Sequence, residues 1–165
     1  MKNKWQSFYE KGLITEDKFI EMIGDSFIRR ATRSEDRNEH WDILCKEGKI
    51  DVKGKKKNNR RDANVDSTIH YYEFKNVAGN IGWGVPTKVD RMIAFETDDD
   101  FILVNPVDIY DDLKLKCSVD EDDFFKLKTR NGRDDLFAKI PTQYLRDYSC
   151  GTVNTDGIRL PNSTD

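Results

Sequence analysis

The feature that most constrains the fold is a pair of alternating apolar and polar segments, joined by a glycine turn, within Trp41–Lys57. This stretch reads WDILCKEGKIDVKGKKK, and residues 41–45 and 49–53 both have the period-2 pattern of a β-strand. Gly48 lies between them and can adopt the positive φ angle that a tight turn requires. The sequence therefore predicts a β-hairpin here.

The second strand of this hairpin combines a carboxylate and a lysine. Side chains alternate across a strand, so Asp51 and Lys53 should share one face, and Ile50 and Val52 the opposite face. Asp42 on the paired strand can join the first two. Exposed strand faces often carry such charged pairs, so a solvated face is the alternative interpretation of Asp51 and Lys53.

An amphipathic helix is expected before the hairpin. It should begin at Thr15, whose hydroxyl can cap the helix, and bury Phe19, Ile20, Ile23 and Phe27 at helical spacing. Glu16 precedes the first three of these apolar positions by three, four and seven residues, which extends their stripe. Two interpretations remain open: Glu16 caps the helix at its edge, or it faces a cation on the core side.

Alternating strand and helix patterns along the rest of the 165 residues predict an α/β (α+β) fold with about five strands flanked by helices. One domain is expected over residues 1–150, and a polar, flexible tail over 151–165. The charged stretch 29–39 is expected to be a loop. Further strands are predicted at 69–76, 91–96 and 101–105, and flanking helices at 107–116 and 141–148.

Charge is unevenly distributed along the chain. The formal net charge is −3, which alone argues weakly against a nucleic-acid partner. Basic residues nevertheless concentrate after the hairpin, where they suit DNA phosphates; such a run is more often a solvated surface. The residues expected to contact phosphate are Lys55, Lys56, Lys57, Arg60 and Arg61. The polar segment 58–67 is expected to be a loop that orders on ligand binding.

Cysteine and hydropathy patterns exclude several classes of protein. Three cysteines without close pairs and two histidines encode neither a disulfide framework nor a cysteine-rich zinc site. No apolar run reaches the length of a membrane span, and the first residues lack the apolar core of a signal peptide. The expected location is the cytoplasm, without membrane association.

The acids around the hairpin suit phosphodiester hydrolysis. Mg²⁺ prefers oxygen ligands and needs few protein carboxylates, and a divalent cation can activate water and stabilise a leaving oxygen. Glu16, Asp42 and Asp51, with the main-chain carbonyl of Val52, are the candidate ligands. Lys53 can orient the attacking water or offset charge at the phosphate.

The order of Glu16 on a helix, then Asp42, then Asp51-Val52-Lys53 resembles the PD-(D/E)xK nuclease superfamily over roughly residues 11–105. Within it, EHWD, DVKGKKK, YYEFKN and GNIGWG look most like small nucleases of phages and large DNA viruses. The active-site core is also similar to that of Holliday junction resolvases. The resemblance implies a restriction-endonuclease-like core with a mixed central sheet of about five strands, a Mg²⁺ cofactor that Mn²⁺ can replace, and DNA as substrate.

Two departures from the family pattern are visible. Trp41 stands where many members have proline, and Glu73-Phe74-Lys75 is a second acid-x-Lys triplet. The hairpin favours Asp51 over Glu73 as the catalytic acid, with Glu73 and Lys75 in a supporting role. His40, directly before the first strand, is expected to have at most a minor role.

The resemblance implies a metal-dependent DNA endonuclease, selective for branched or recombining DNA. A restriction-like or nicking enzyme is a close alternative, and many members act as homodimers. The rival from another class is a catalytically silent nucleic-acid-binding module of the same fold. A phage protein that acts on a host factor, through the acidic C-terminal third, is a further alternative.

Overall fold

The computed structural model describes residues 4–119 and 123–161. The chain is mixed α/β, as predicted. Its elements in order are α1 (Lys4–Ile23), β1 (Phe27–Arg30), α2 (Arg33–Glu39), β2 (Ile43–Cys45), β3 (Gly48–Lys53), β4 (Ile69–Lys75), β5 (Met92–Glu96), β6 (Phe101–Val104), α3 (Pro106–Val119), β7 (Leu127–Lys128), β8 (Leu136–Pro141), α4 (Thr142–Asp147), β9 (Gly151–Asn154) and β10 (Gly157–Arg159).

Internal contacts divide the chain into two compact units, where one domain over residues 1–150 was expected. Unit 1 comprises Met1–Gly54, Asp90–Leu103 and Cys150–Asp165, and unit 2 comprises Lys55–Val89 and Val104–Ser149. Each unit holds one sheet. The predicted hairpin belongs to unit 1, and the basic segment that follows it belongs to unit 2.

Unit 1 is built on a seven-stranded mixed sheet in the order β1-β2-β3-β5-β6-β9-β10, so the prediction of about five strands was wrong. β3 and β5 run parallel, whereas β2 is antiparallel to both β1 and β3. A parallel pair requires a long crossover connection, and the chain between Lys53 and Met92 provides it, with most of that connection lying in unit 2.

Helix α1 supplies the apolar stripe that covers this sheet. Phe19 and Ile23 are buried against Ile43 and Ile50 of the hairpin, and the Phe19 ring meets Phe101 edge-on at 5.1 Å. The predicted buried stripe is confirmed at Phe19 and Ile23, whereas the prediction was wrong for Phe27, which lies beyond the end of the helix and begins β1. The removal of these apolar side chains from water is the main favourable contribution to packing α1 against the sheet.

The start of α1 differs from the prediction. The helix begins at Lys4 and continues through Gly12, so Thr15 lies inside it. The Thr15 hydroxyl donates to the carbonyl oxygen of Lys11 at 3.2 Å, one turn earlier, and does not cap the helix. Glu16 consequently lies in the body of α1, and the capping interpretation of Glu16 was wrong.

The charged stretch 29–39 was predicted to be a loop and is instead partly regular. It contains the end of β1 and the whole of α2. Thr32 caps α2, because its hydroxyl accepts a hydrogen bond from the Glu35 N–H at 3.2 Å. His40 ends α2 in the left-handed conformation, with φ 57°.

The segment 151–161, expected to be a flexible tail, completes the sheet of unit 1. β9 pairs with β6 and with β10, and Val153 is fully buried. Residues 162–165 lie outside the described part of the chain.

Unit 2 contains the three-stranded antiparallel sheet β4-β8-β7. Tyr72 on β4 is fully buried, and its hydroxyl donates to the carbonyl oxygen of Gly84 at 2.8 Å. The backbone of Gly84, in the glycine-rich loop 77–87, lies too close to the Tyr72 ring and to the Glu73 carbonyl oxygen for a side chain at position 84. No helix among the described residues could cross a membrane.

Candidate functional site

The hairpin forms as predicted and brings Asp42 next to Asp51. Ile43 pairs with Ile50 and Cys45 with Gly48, and Gly48 has φ +132°. The ladder extends one residue further, since the Asp42 N–H donates to the Ile50 carbonyl at 2.9 Å. Asp42 is thereby fixed beside the strand that carries Asp51.

Asp51 is buried, so the alternative interpretation of a solvated acid–lysine face was wrong. Its side chain is 3% exposed, and its Oδ1 forms an ion pair with Lys53 Nζ at 2.8 Å. Asp42 Oδ2 accepts the Val52 N–H at 2.7 Å, and the charge of the neighbouring Asp51 raises the pKa of Asp42. The two aspartates therefore form one coupled pair.

Glu16 faces a cation, as the second interpretation of this residue proposed. Arg30 Nη1 lies 2.6 Å from Glu16 Oε2, and the same guanidinium group contacts Asp17. Arg30 extends from β1 and thus connects α1 to the edge of the sheet. The carboxylate of Glu16 is only partly exposed, so this ion pair is less screened than a surface pair.

The pKa values indicate that the three acids lie within electrostatic reach of one another. Burial, followed by the charge of Asp42, raises the pKa of Glu16 to about 7. Burial and the charge of Asp51 raise the pKa of Asp42 to about 7. Burial also raises the pKa of Asp51, and the nearby Lys53 and Arg91 oppose that shift. Carboxyl groups arranged in this way favour protons or cations as partners.

Two residues at the site were not predicted. Burial and the charge of Asp42 raise the pKa of Asp36, so the two carboxyl groups are electrostatically coupled. Arg91 Nη1 lies 3.7 Å from Asp51 Oδ2, and the Arg91 side chain is 1% exposed. The cap signal Thr32-x-x-Glu35 could have identified the helix that carries Asp36, whereas no local pattern marks Arg91.

The donor chemistry of this cluster fits a divalent cation. Asp51 Oδ2 is buried and makes no hydrogen bond to a described residue, and carboxylate oxygens are the ligands that Mg²⁺ prefers. Within residues 4–119 and 123–161, no three acidic, histidine or cysteine side chains converge closely enough to hold an ion. Two aspartates are in place, and Glu16 is held by Arg30.

The competing triplet belongs to unit 2. Glu73 and Lys75 lie on β4, and Glu73 Oε1 accepts the Trp83 N–H at 3.4 Å. The Trp83 ring packs against Tyr72 at 5.2 Å between centroids. Lys75 is exposed.

Segment 58–67 is a loop, as expected, and contains a hydrogen-bonded turn at residues 59–62. The Asn59 N–H donates to Asp62 Oδ2 at 3.0 Å, and the Asp62 N–H donates to the Asn59 carbonyl at 3.0 Å. Arg60 and Arg61 occupy the exposed tip between them. The Tyr71 hydroxyl donates to the carbonyl oxygen of Asn58, directly before the turn, at 2.9 Å. Lys56 and Lys57 are exposed, and Lys55 is half-buried.

Comparison with known proteins gives no relative from which function could be transferred. No family model matches the chain, and neither a curated protein nor a solved structure is significantly similar to it.

Proposed function

We propose that this chain is a metal-dependent DNA endonuclease with a restriction-endonuclease-like core in unit 1. The observation that carries the proposal is the pair formed by the half-buried Asp42 and the buried Asp51, with Lys53 2.8 Å from Asp51. Acids with perturbed pKa values, coupled to one another and to a lysine, are typical of sites where charge develops during a reaction. A purely structural role does not require such coupling.

Mg²⁺, or Mn²⁺ in its place, would supply a polarised phosphate and an activated water. Asp42 and Asp51 would hold the ion, with the Val52 carbonyl as a further oxygen donor. Glu16 would become available as a ligand when Arg30 exchanges it for another anion, such as a DNA phosphate. Lys53 stays beside Asp51, where its ammonium group can orient water and offset negative charge on the phosphate.

The basic turn would bind the DNA backbone. Arg60 and Arg61 are exposed at its tip, and the hydrogen bonds within the turn fix its backbone before DNA arrives. A preformed surface loses less conformational entropy on binding than a disordered one. Lys55, Lys56 and Lys57 extend the same positively charged segment.

The proposal is tested by incubating linear, nicked, single-stranded and four-way-junction DNA with the protein, with and without Mg²⁺. We expect wild-type protein to cut at least one substrate, and branched DNA most efficiently, only with Mg²⁺. Asp51→Asn should abolish cleavage and retain DNA binding. Asp25→Asn, at an exposed acid in the same unit, is the matched control and should cut normally.

A parallel Glu73→Gln variant tests the second triplet. We expect it to retain at least half of the wild-type rate, since Glu73 lies on the sheet of unit 2 and its carboxylate accepts the Trp83 N–H. Loss of cleavage in Glu73→Gln alone would transfer the catalytic assignment to that triplet.

The second candidate is a catalytically silent DNA-binding module. The ion pair between Glu16 and Arg30, 2.6 Å long, favours it, because this pair occupies the third acid. Such a module would bind DNA equally well with and without Mg²⁺ and would tolerate Asp51→Asn. Size-exclusion chromatography with DNA would establish whether the active form is a homodimer.

A further inference from the structure

Arg91 places a permanent positive charge inside the candidate site. Its side chain is 1% exposed, and its Nη1 lies 3.7 Å from Asp51 Oδ2. The parallel register, in which Asp51 pairs with Ile93, fixes the backbone from which Arg91 extends. Because arginine remains protonated at any physiological pH, this charge cannot be removed by a change of solution conditions.

The charge of Asp51 is offset by two cations. Lys53 and Arg91 lie 2.8 Å and 3.7 Å from its carboxylate oxygens. An acid whose charge is already offset attracts a divalent cation more weakly than an acid without such neighbours. The site as a whole keeps more acids than cations, since Asp17 and Asp36 also belong to it.

We propose that Arg91 is a positioning residue that takes the electrostatic place of a divalent cation at Asp51 Oδ2. As a result, the protein alone binds the metal weakly, and the metal binds tightly only together with a phosphodiester. The phosphate supplies the negative charge that Arg91 cancels. This inference rests on the proposed function, and it explains why the described acids are not gathered into a ready metal site.

The contrast between the two cations of Asp51 supports this role. Lys53 is 25% exposed at its side chain, so its ammonium group can move toward solvent or toward a phosphate. Arg91 is enclosed and cannot move away while unit 1 is folded. The ammonium group of Lys53 can therefore move toward a bound phosphate, whereas the charge of Arg91 stays beside Asp51 whether or not substrate is bound.

The test measures Mn²⁺ binding by the decrease of its free paramagnetic resonance signal, first without nucleic acid. We expect Arg91→Gln to bind Mn²⁺ at least tenfold more tightly than wild-type protein, and Arg91→Lys, which keeps the charge, to stay within threefold of it. Lys49→Gln is the matched control, because Lys49 belongs to the same hairpin and pairs with Glu39. It should also stay within threefold.

A second arm uses wild-type protein alone and does not depend on the folding of any variant. A short DNA duplex should increase the Mn²⁺ affinity of the wild-type protein at least tenfold, and Asp51→Asn should remove this increase. Tight Mn²⁺ binding by wild-type protein without DNA would overturn the inference, as would equal affinities of Arg91→Gln and wild type.

The proposed role of Arg91 and the proposed nuclease activity are contradicted by different results. If wild-type protein cuts DNA with Mg²⁺ while Arg91→Gln leaves Mn²⁺ affinity unchanged, the role of Arg91 is wrong and the proposed function stands. If wild-type protein neither binds Mn²⁺ with DNA nor cuts any substrate, both proposals are wrong.

Discussion

Asp51 and Arg91 are opposite charges that are both buried, so each should depend on the other for the stability of unit 1. Their side chains are 3% and 1% exposed, and the charged atoms are 3.7 Å apart. At an effective dielectric constant of about 20, two unit charges at this distance attract by about 4 kcal/mol. Removal of one partner from a buried pair typically costs about 3–5 kcal/mol. We therefore expect Asp51→Asn to lower the free energy of unfolding by about 3 kcal/mol, and Arg91→Gln to lower it by less, because Asp51 keeps Lys53 at 2.8 Å.

The double variant Asp51→Asn/Arg91→Gln should be much less destabilised than the sum of the two single variants. It leaves no buried charge without a partner, and Lys53 is exposed enough for water to replace its ion pair. We expect a coupling energy of about 2 kcal/mol or more in a double-mutant cycle.

Urea denaturation followed by tryptophan fluorescence and circular dichroism would measure this cycle. Asp25→Asn, at an exposed position, should change the free energy of unfolding by less than about 0.5 kcal/mol. If the effects of the single variants add to that of the double variant within about 0.5 kcal/mol, the two charges do not interact and the reasoning about this pair is wrong.

Three further predictions concern DNA binding, pH and the glycine loop. Arg60→Gln/Arg61→Gln should weaken DNA binding and reduce the salt slope by about 2, measured by fluorescence anisotropy, whereas Lys88→Gln/Arg133→Gln should change neither. The raised pKa values of Glu16 and Asp42, about 7 each, mean that the folded chain binds more protons than the unfolded chain between pH about 4 and 7. Stability should therefore fall as pH rises through this range, and Asp42→Asn should flatten the decline in a series of thermal melts. Gly84→Ala would place a methyl group against the Tyr72 ring and 2.5 Å from the Glu73 carbonyl oxygen, which should cost about 2 kcal/mol or more in urea denaturation, whereas Gly12→Ala, in an open helical position, should be neutral or stabilising.

Local sequence patterns predicted the hairpin because its determinants lie within a few residues of one another. Strands β2 and β3 are joined by a turn at Gly48. Gly48 has a positive φ angle, which few other residues adopt readily. The same short distance along the chain brings Asp42 beside Asp51. Burial of Asp51 could not be predicted this way, since it depends on what covers the strand.

Elements that depend on distant partners were missed. β9 and β10 are short, and their most deeply buried residue is Val153. Their stability comes from pairing β9 with β6, far away in the sequence, and no pattern within residues 151–161 encodes this. The helix at Arg33–Glu39 is a different case. Its capping pair, Thr32 and Glu35, can be recognised in the sequence, but the high charge of the segment led to the prediction of a loop.

The cost of the acid pair distinguishes an active site from an inert fold. Asn at position 42 could still accept the Val52 N–H that Asp42 Oδ2 accepts, without the burial and repulsion that raise the pKa of Asp42 to about 7. A binding module gains nothing from an ionisable group here, whereas cation binding and hydrolysis need one that is negative when the metal arrives. Because Asp51 also has two cationic partners, the chain keeps its acids at a cost in stability and offsets that cost with Lys53 and Arg91. For this reason we propose the nuclease in preference to the silent module.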